Sequence, residues 1–200
     1  MLTDNRSKKR IKLRRMLSAA LCVLLVTAVS IFLTSCSPVL QAADSGGIYM
    51  NRADMAEELF RQGYNCSQSV FAAFADTVGM TAEEAAKIAS PFGAGFGKLR
   101  EVCGAVSGMT LLAGYLQGYC DPADYESKKE LYALIQKMCA EFEEQKGTII
   151  CRELLGLRKG EDIGEPAVRT EEYYQSRPCI GACRAAAEIA DKYLLGQDAE

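Results

Sequence analysis

From Asn51 onward the apolar positions recur at helical spacing. Met55, Ala56, Leu59 and Phe60 form one stripe, and Asp54, Glu57, Glu58 and Arg61 fall outside it. Gly63 ends that segment. Asn65 and Gln68 have capping-box spacing, and Val70, Phe71, Phe74, Ala75 and Val78 make the stripe of a second helix. Thr81 and Glu84 open a third, short helix that ends near Pro91, and a Gly-rich loop follows (Gly93, Gly95, Gly97). A fourth helix is predicted from about Cys103 to Gly118. Asp121-Pro122 caps a fifth, long one with Leu131, Leu134, Ile135, Met138 and Phe142 inward. Thr148 starts a short sixth helix ending at Gly156, and residues 157–170 read as polar loop. Arg177-Pro178 opens the last helix, with Ile180, Cys183, Ala187, Ala190 and Leu194 inward. No segment alternates as a strand. The pattern predicts an all-α domain over residues 51–196, a compact bundle of about six or seven helices around one core.

In the fourth segment Gly104 and Gly108, then Gly114 and Gly118, are spaced four apart. Glycine weakens a solvated helix by roughly 1 kcal/mol relative to alanine. Close backbone contact with neighbours offsets that, so this helix is expected to be central and tightly crossed.

The first 36 residues read as an address. Residues 1–15 carry seven cations against Asp4, and Met16 to Leu33 is an uncharged, mostly apolar run. Leu33-Thr34-Ser35-Cys36 then resembles the bacterial lipobox, in which the cysteine is lipidated and becomes the new N-terminus. This predicts a signal peptide over 1–35, lipidation at Cys36 and a tether over 36–50. The expected location is the outer face of the cytoplasmic membrane, as a bacterial lipoprotein. The alternative is a single N-terminal transmembrane anchor, since the apolar run is near the shortest length that spans a bilayer. Arg14-Arg15 before the run weakly resembles a twin-arginine export signal, against an ordinary basic leader.

Charge narrows the partners. Removing residues 1–35 leaves 16 cations against 25 anions, a net charge of −9. An acidic domain without a basic stripe is a poor nucleic-acid binder. The chain has no His, which excludes Ser-His-Asp and Cys-His catalysis and the usual catalytic zinc sets. It has nine Cys, so its chemistry is expected to run on sulfur.

Seven cysteines remain beside Cys22 and Cys36. Four of them, Cys66, Cys103, Cys151 and Cys179, fall in the predicted first turn of a helix. Unpaired N–H groups and the positive dipole end stabilise a thiolate there. Cys120, Cys139 and Cys183 read as small buried hydrophobes.

Cys103-Gly104-Ala105-Val106-Ser107-Gly108 matches a CGAxxG motif. Gly63-Tyr64-Asn65-Cys66 and the loop Phe92-Gly93-Ala94-Gly95-Phe96-Gly97 precede it. Cys151-Arg152-Glu153-Leu154-Leu155-Gly156 follows, then Cys179 before Ala185-Ala186-Ala187-Glu188-Ile189. Over roughly residues 50–195 the chain resembles the C_GCAxxG_C_C family of redox-active proteins. The resemblance implies a helical redox domain whose four characteristic cysteines are Cys66, Cys103, Cys151 and Cys179. Lys98-Leu99-Arg100-Glu101-Val102 departs from the family, which usually has another Gly near the acidic residue.

Three readings of those sulfurs stand open. The first is thiol–disulfide or electron-transfer chemistry with an unknown redox partner. Cys103 is the expected nucleophile there, beside Lys98 and Arg100 in sequence, and one of Cys66, Cys151 or Cys179 resolves it. Spacings of 37, 48 and 28 residues make any bridge long-range. The second is a four-cysteine metal site on the same residues, most plausibly an iron–sulfur cluster. The third is a non-enzymatic exported binding domain stapled by structural disulfides. Gly93, Gly95 and Gly97 either cradle an anion or cofactor or make a tight turn beside Cys103. Tyr125, Tyr132, Tyr173 and Tyr174 read as packing residues, and Glu126 to Lys146 as a solvated helix face.

Overall fold

The computed structural model describes residues 50–196. The predicted signal, Cys36 and the tether up to residue 49 lie outside the described residues. Among the described residues no helix is long and apolar enough to cross a membrane.

The domain is all-α, and most of its helices begin behind a side-chain cap. Helix α1 (Arg52–Arg61) starts behind Asn51, whose side chain accepts from the Asp54 amide at 2.8 Å. Helix α2 (Cys66–Ala72) opens with the full Asn65/Gln68 capping box. Its apolar stripe runs on past the helix: Phe74 and Ala75 donate to the carbonyls of Phe71 and Ala72 in tight turns, and Phe74, Ala75 and Val78 stay buried. Helix α3 (Ala82–Ala89) opens with a second box, Thr81/Glu84, and ends in a 3-10 turn (Ser90–Phe92) holding Pro91. The others are α4 (Gly104–Gln117), α5 (Tyr125–Lys146), α6 (Cys151–Leu154), α7 (Glu171–Ser176) and α8 (Cys179–Ala190). Helix α2 packs on α3 and α4, and α8 closes the core over α1, α2 and α4. Phe60, Phe71, Phe74, Met109, Leu112, Met138, Phe142 and Ile189 fill that core.

The predicted close crossing of α4 holds for its first half only. A methyl group on Gly108 would meet the Ser67 carbonyl oxygen at 2.7 Å, and one on Gly104 would meet the Cys66 sulfur at 2.4 Å. Gly114 instead faces open space and Gly118 is the C-cap, because α4 crosses α2 only near its start.

Three boundaries differ from expectation. Asp124, not Asp121-Pro122, caps α5, by accepting from the Ser127 amide; Asp121 accepts from the Ala123 amide in the turn before. Helix α6 begins at Cys151 behind Ile150, and Thr148 supports it from outside through the Ile150 amide and the Glu153 carboxylate. Helix α7 is an eighth helix that the pattern missed. Its residues, EEYYQS, include none that is fully buried, so no stripe announces it; Thr170 caps it.

Asn65 supports a small prediction. Its side-chain oxygen accepts from Ser67 and Gln68 amides at 3.1 and 3.0 Å, and its amide donates to the Ser90 carbonyl at 2.9 Å. Asn65→Ala removes both the cap and the tie to the 3-10 turn, so a loss of about 1–2 kcal/mol is expected in urea unfolding.

Candidate functional site

All four selected cysteines stand at helix starts. Cys66, Cys151 and Cys179 are the first residues of α2, α6 and α8, and Cys103 is the N-cap of α4. Different devices put them there. The Asn65 box places Cys66, and Pro178 places Cys179. Cys103 and Cys151 are set side by side by one short antiparallel pairing: Val102 bridges Ile150, the Cys103 amide donates to Ile149 at 2.8 Å and the Cys151 amide to Glu101 at 2.6 Å.

The four side chains line a single narrow cavity of about 40 Å³, together with Phe60, Arg100, Arg169 and Tyr173. That is space for a few water molecules. Cys66, Cys103 and Cys151 are only 8%, 5% and 6% exposed. All seven cysteines among the described residues are free thiols. The donor set has the chemistry of a metal site, yet among the described residues no group of three or more Cys, Asp or Glu is spaced to hold a metal ion.

Burial reverses the expected acidity of Cys103, Cys151 and Cys179. The helix-start amides of Ala105 and Val106 do favour a Cys103 thiolate, but burial and the neighbouring Cys66 outweigh them and push the thiol well above its ordinary range. Burial likewise pushes Cys179 up to about 12. Cys151 is also raised by burial, but it alone among these has a charged side-chain donor working against the shift: Arg100 Nη1 donates to its sulfur at 3.9 Å. Cys66 acts electrostatically on Cys103, Cys151, Cys179 and Cys183, which makes it the hub of the cluster.

Arg100 is delivered by a strained loop. Ala94, Gly95, Phe96, Gly97 and Lys98 have φ of 55°, 71°, 62°, 58° and 70°, and Arg100 has 63°. A run of non-glycine residues in the left-handed region costs roughly 1–2 kcal/mol per residue, so surrounding contacts must hold it. Asp162 is the main one. Its carboxylate takes Arg100, Lys98 at 3.0 Å and Arg177 at 3.3 Å. Partial burial works against its ionisation, but the three cations hold its carboxyl below the usual carboxylate range. Lys98 also donates to the Glu165 carbonyl at 2.5 Å, and Arg152 pairs with Glu101 at 2.8 Å.

A family model, C_GCAxxG_C_C, described as "Putative redox-active protein", matches residues 64–193. The chain belongs to that family. Searches of curated proteins and of solved structures return no match. The C_GCAxxG_C_C segment starts just before Cys66 and runs through α8, so it contains all four cysteines and every cavity-lining residue except Phe60.

Within this C_GCAxxG_C_C domain none of the three loop glycines is among the residues lining the cavity, and two of them are tightly packed. Gly93 packs on the Asn65 side chain and Gly95 on the Cys151 Cβ, where an added methyl would stand at 2.2 and 2.8 Å. Of this loop, it is Ala94 that lines the cavity. Cys183 is fully buried, as expected, and donates to the Cys66 carbonyl at 3.8 Å. Cys120 is exposed, because the end of α4 leaves the core, and Cys139 is half-buried on α5, which buries only Met138 and Phe142. Tyr173 and Tyr174 pack as expected, whereas Tyr125 and Tyr132 lie exposed on α5. Sequence reasoning noted Lys98 and Arg100 but aimed them at Cys103. It passed over Asp162 and Arg169, which sit in the polar loop with no motif to mark them, and read Arg177 only as the opening of the last helix.

Proposed function

We propose that this member of the C_GCAxxG_C_C family is a thiol–disulfide redox protein held on the outer face of the cytoplasmic membrane by a lipidated Cys36. The observation that carries the reading is the convergence of four thiols from distant segments on one cavity. Cys151 is the attacking sulfur, favoured over Cys103 by the Arg100 hydrogen bond. Its thiolate attacks a disulfide RSSR and forms Cys151–S–S–R, and the leaving RS⁻ takes up a proton. Cys66, the hub sulfur, then attacks Cys151 Sγ and releases the second RSH. Two cavity thiols become one disulfide, and one RSSR becomes two RSH.

The test is a redox titration of anaerobically purified protein with a free-thiol count. One intramolecular disulfide with a midpoint well above about −300 mV is expected. Cys151→Ser abolishes exchange, with Cys120→Ser as the exposed control. Bridges that resist reduction would make the cysteines structural staples. Iron and acid-labile sulfide in stoichiometric amount, with visible absorbance, would replace the dithiol reading with a cluster on Cys66, Cys103, Cys151 and Cys179. A Cys36→Ser chain found free of the membrane fraction, with the native chain in it, supports the anchor.

A further inference from the structure

We propose that the thiol cavity takes a small disulfide bearing carboxylates, oriented by Arg169. The inference rests on the thiol reading above and adds the substrate's charge and size.

The sign of charge reverses locally. After residue 35 the chain has 25 anions against 16 cations, yet the cavity wall carries Arg100 and Arg169 and no Asp or Glu. Three cations, Arg100, Lys98 and Arg177, share the single carboxylate of Asp162. Arg169 has none: among the described residues no carboxylate lies within ion-pairing distance of it, and its guanidinium donates only to the backbone carbonyls of Phe60 at 3.4 Å and Tyr64 at 3.2 Å. Carbonyl oxygens orient a cation without neutralising it. The guanidinium is also clamped against the rings of Phe60 at 4.5 Å and Tyr173 at 4.8 Å. A guanidinium has five N–H donors, so a rigid, charged fork with donors to spare lines the cavity that the sulfurs share. The Cys103 and Cys179 thiols, raised by burial, stay protonated near neutral pH and offer no counter-charge. The complement of this wall is an anion with planar acceptor geometry, which a carboxylate supplies.

Size follows from access. With Cys66, Cys103 and Cys151 at 8% exposure or less around a cavity of about 40 Å³, the flat surface of a folded protein cannot bring its disulfide to the sulfurs. A slim molecule can enter end-on.

The test uses three short disulfides that differ in charge: dithiodiglycolate, hydroxyethyl disulfide and cystamine. Each is mixed with the fully reduced protein, and its rate is divided by its rate with a free small thiol at the same pH. The normalised rate is expected to be on the order of tenfold higher for the dianion than for the neutral compound, lowest for the dication, and compressed by salt. Arg169→Gln moves the anion-to-neutral ratio toward one, and Arg169→Lys restores part of it. Equal normalised rates across the native series would overturn the anion site while leaving thiol exchange intact. Reduction of none of the three would overturn the thiol reading and this inference with it. The native series decides the matter even if the Arg169 variants do not fold.

Discussion

Raising the pH through 9 and beyond is expected to destabilise the reduced protein steeply. Burial pushes Cys103 and Cys183 well above their ordinary range and Cys179 from 9.0 up to about 12. An unfolded chain releases its thiol protons near about 8.5. Below that pH both states keep the protons and stability is unaffected. Above it the unfolded state binds fewer protons than the folded one, so stability falls as pH rises, until the folded thiols ionise in turn. Each such thiol removes about 1.4 kcal/mol per pH unit across that window. For Cys179 alone, passage from 9.0 to about 12 corresponds to about 4 kcal/mol. Domains of this kind are stable by only about 5–15 kcal/mol, so several thiols acting together bring unfolding into reach. Urea midpoints under reducing conditions at several pH values from neutral to alkaline measure the effect. Cys179→Ala should flatten the slope by close to one proton. A stability that stays level from pH 8 to 10.5 would mean that the folded thiols ionise as freely as unfolded ones.

Two glycine-to-alanine changes in α4 are expected to act with opposite sign. At Gly104 the new methyl group would stand 2.4 Å from the Cys66 sulfur, 3.0 Å from the Phe92 carbonyl oxygen and 3.2 Å from the Gly93 Cα. The sulfur is buried and the other two atoms are backbone, so none retreats freely. Overpacking of this sort costs about 1–3 kcal/mol. It also displaces the hub sulfur, so thiol exchange falls along with stability. At Gly114 nothing lies within 4 Å, and the residue is exposed in mid-helix. Alanine there should stabilise by about 0.5–1 kcal/mol through backbone entropy alone. Thermal melts of the two variants beside the native chain check the pair. A stabilised Gly104→Ala would show that α2 and α4 do not meet as closely as the structure has them.

The helix starts were legible because their signals are local. Asn65/Gln68 and Thr81/Glu84 are capping boxes within four residues, and the stripes of α1 and α8 repeat every turn. Where the signal was ambiguous the boundary slipped: two aspartates near α5 compete for the cap, and the nearer one, Asp124, takes it. Helix α7 was missed because a short helix without a buried face leaves no periodic trace.

The residues flanking each cysteine were enough to place all four at helix starts and, through the CGAxxG run and its neighbours, to assign the family. Neither the convergence of the sulfurs nor their acidity was written locally. Convergence depends on α2, α4, α6 and α8 meeting at one end of the core, through contacts between segments far apart along the chain. Acidity is a competition between the removal of water by packing, which is non-local, and the helix-start amides, which are local; burial wins at Cys103. The same holds for charge. Arg100, Asp162 and Arg169 are ordinary surface residue types until a left-handed loop and a polar segment fold two of them into the wall of the cavity and the third against its rim.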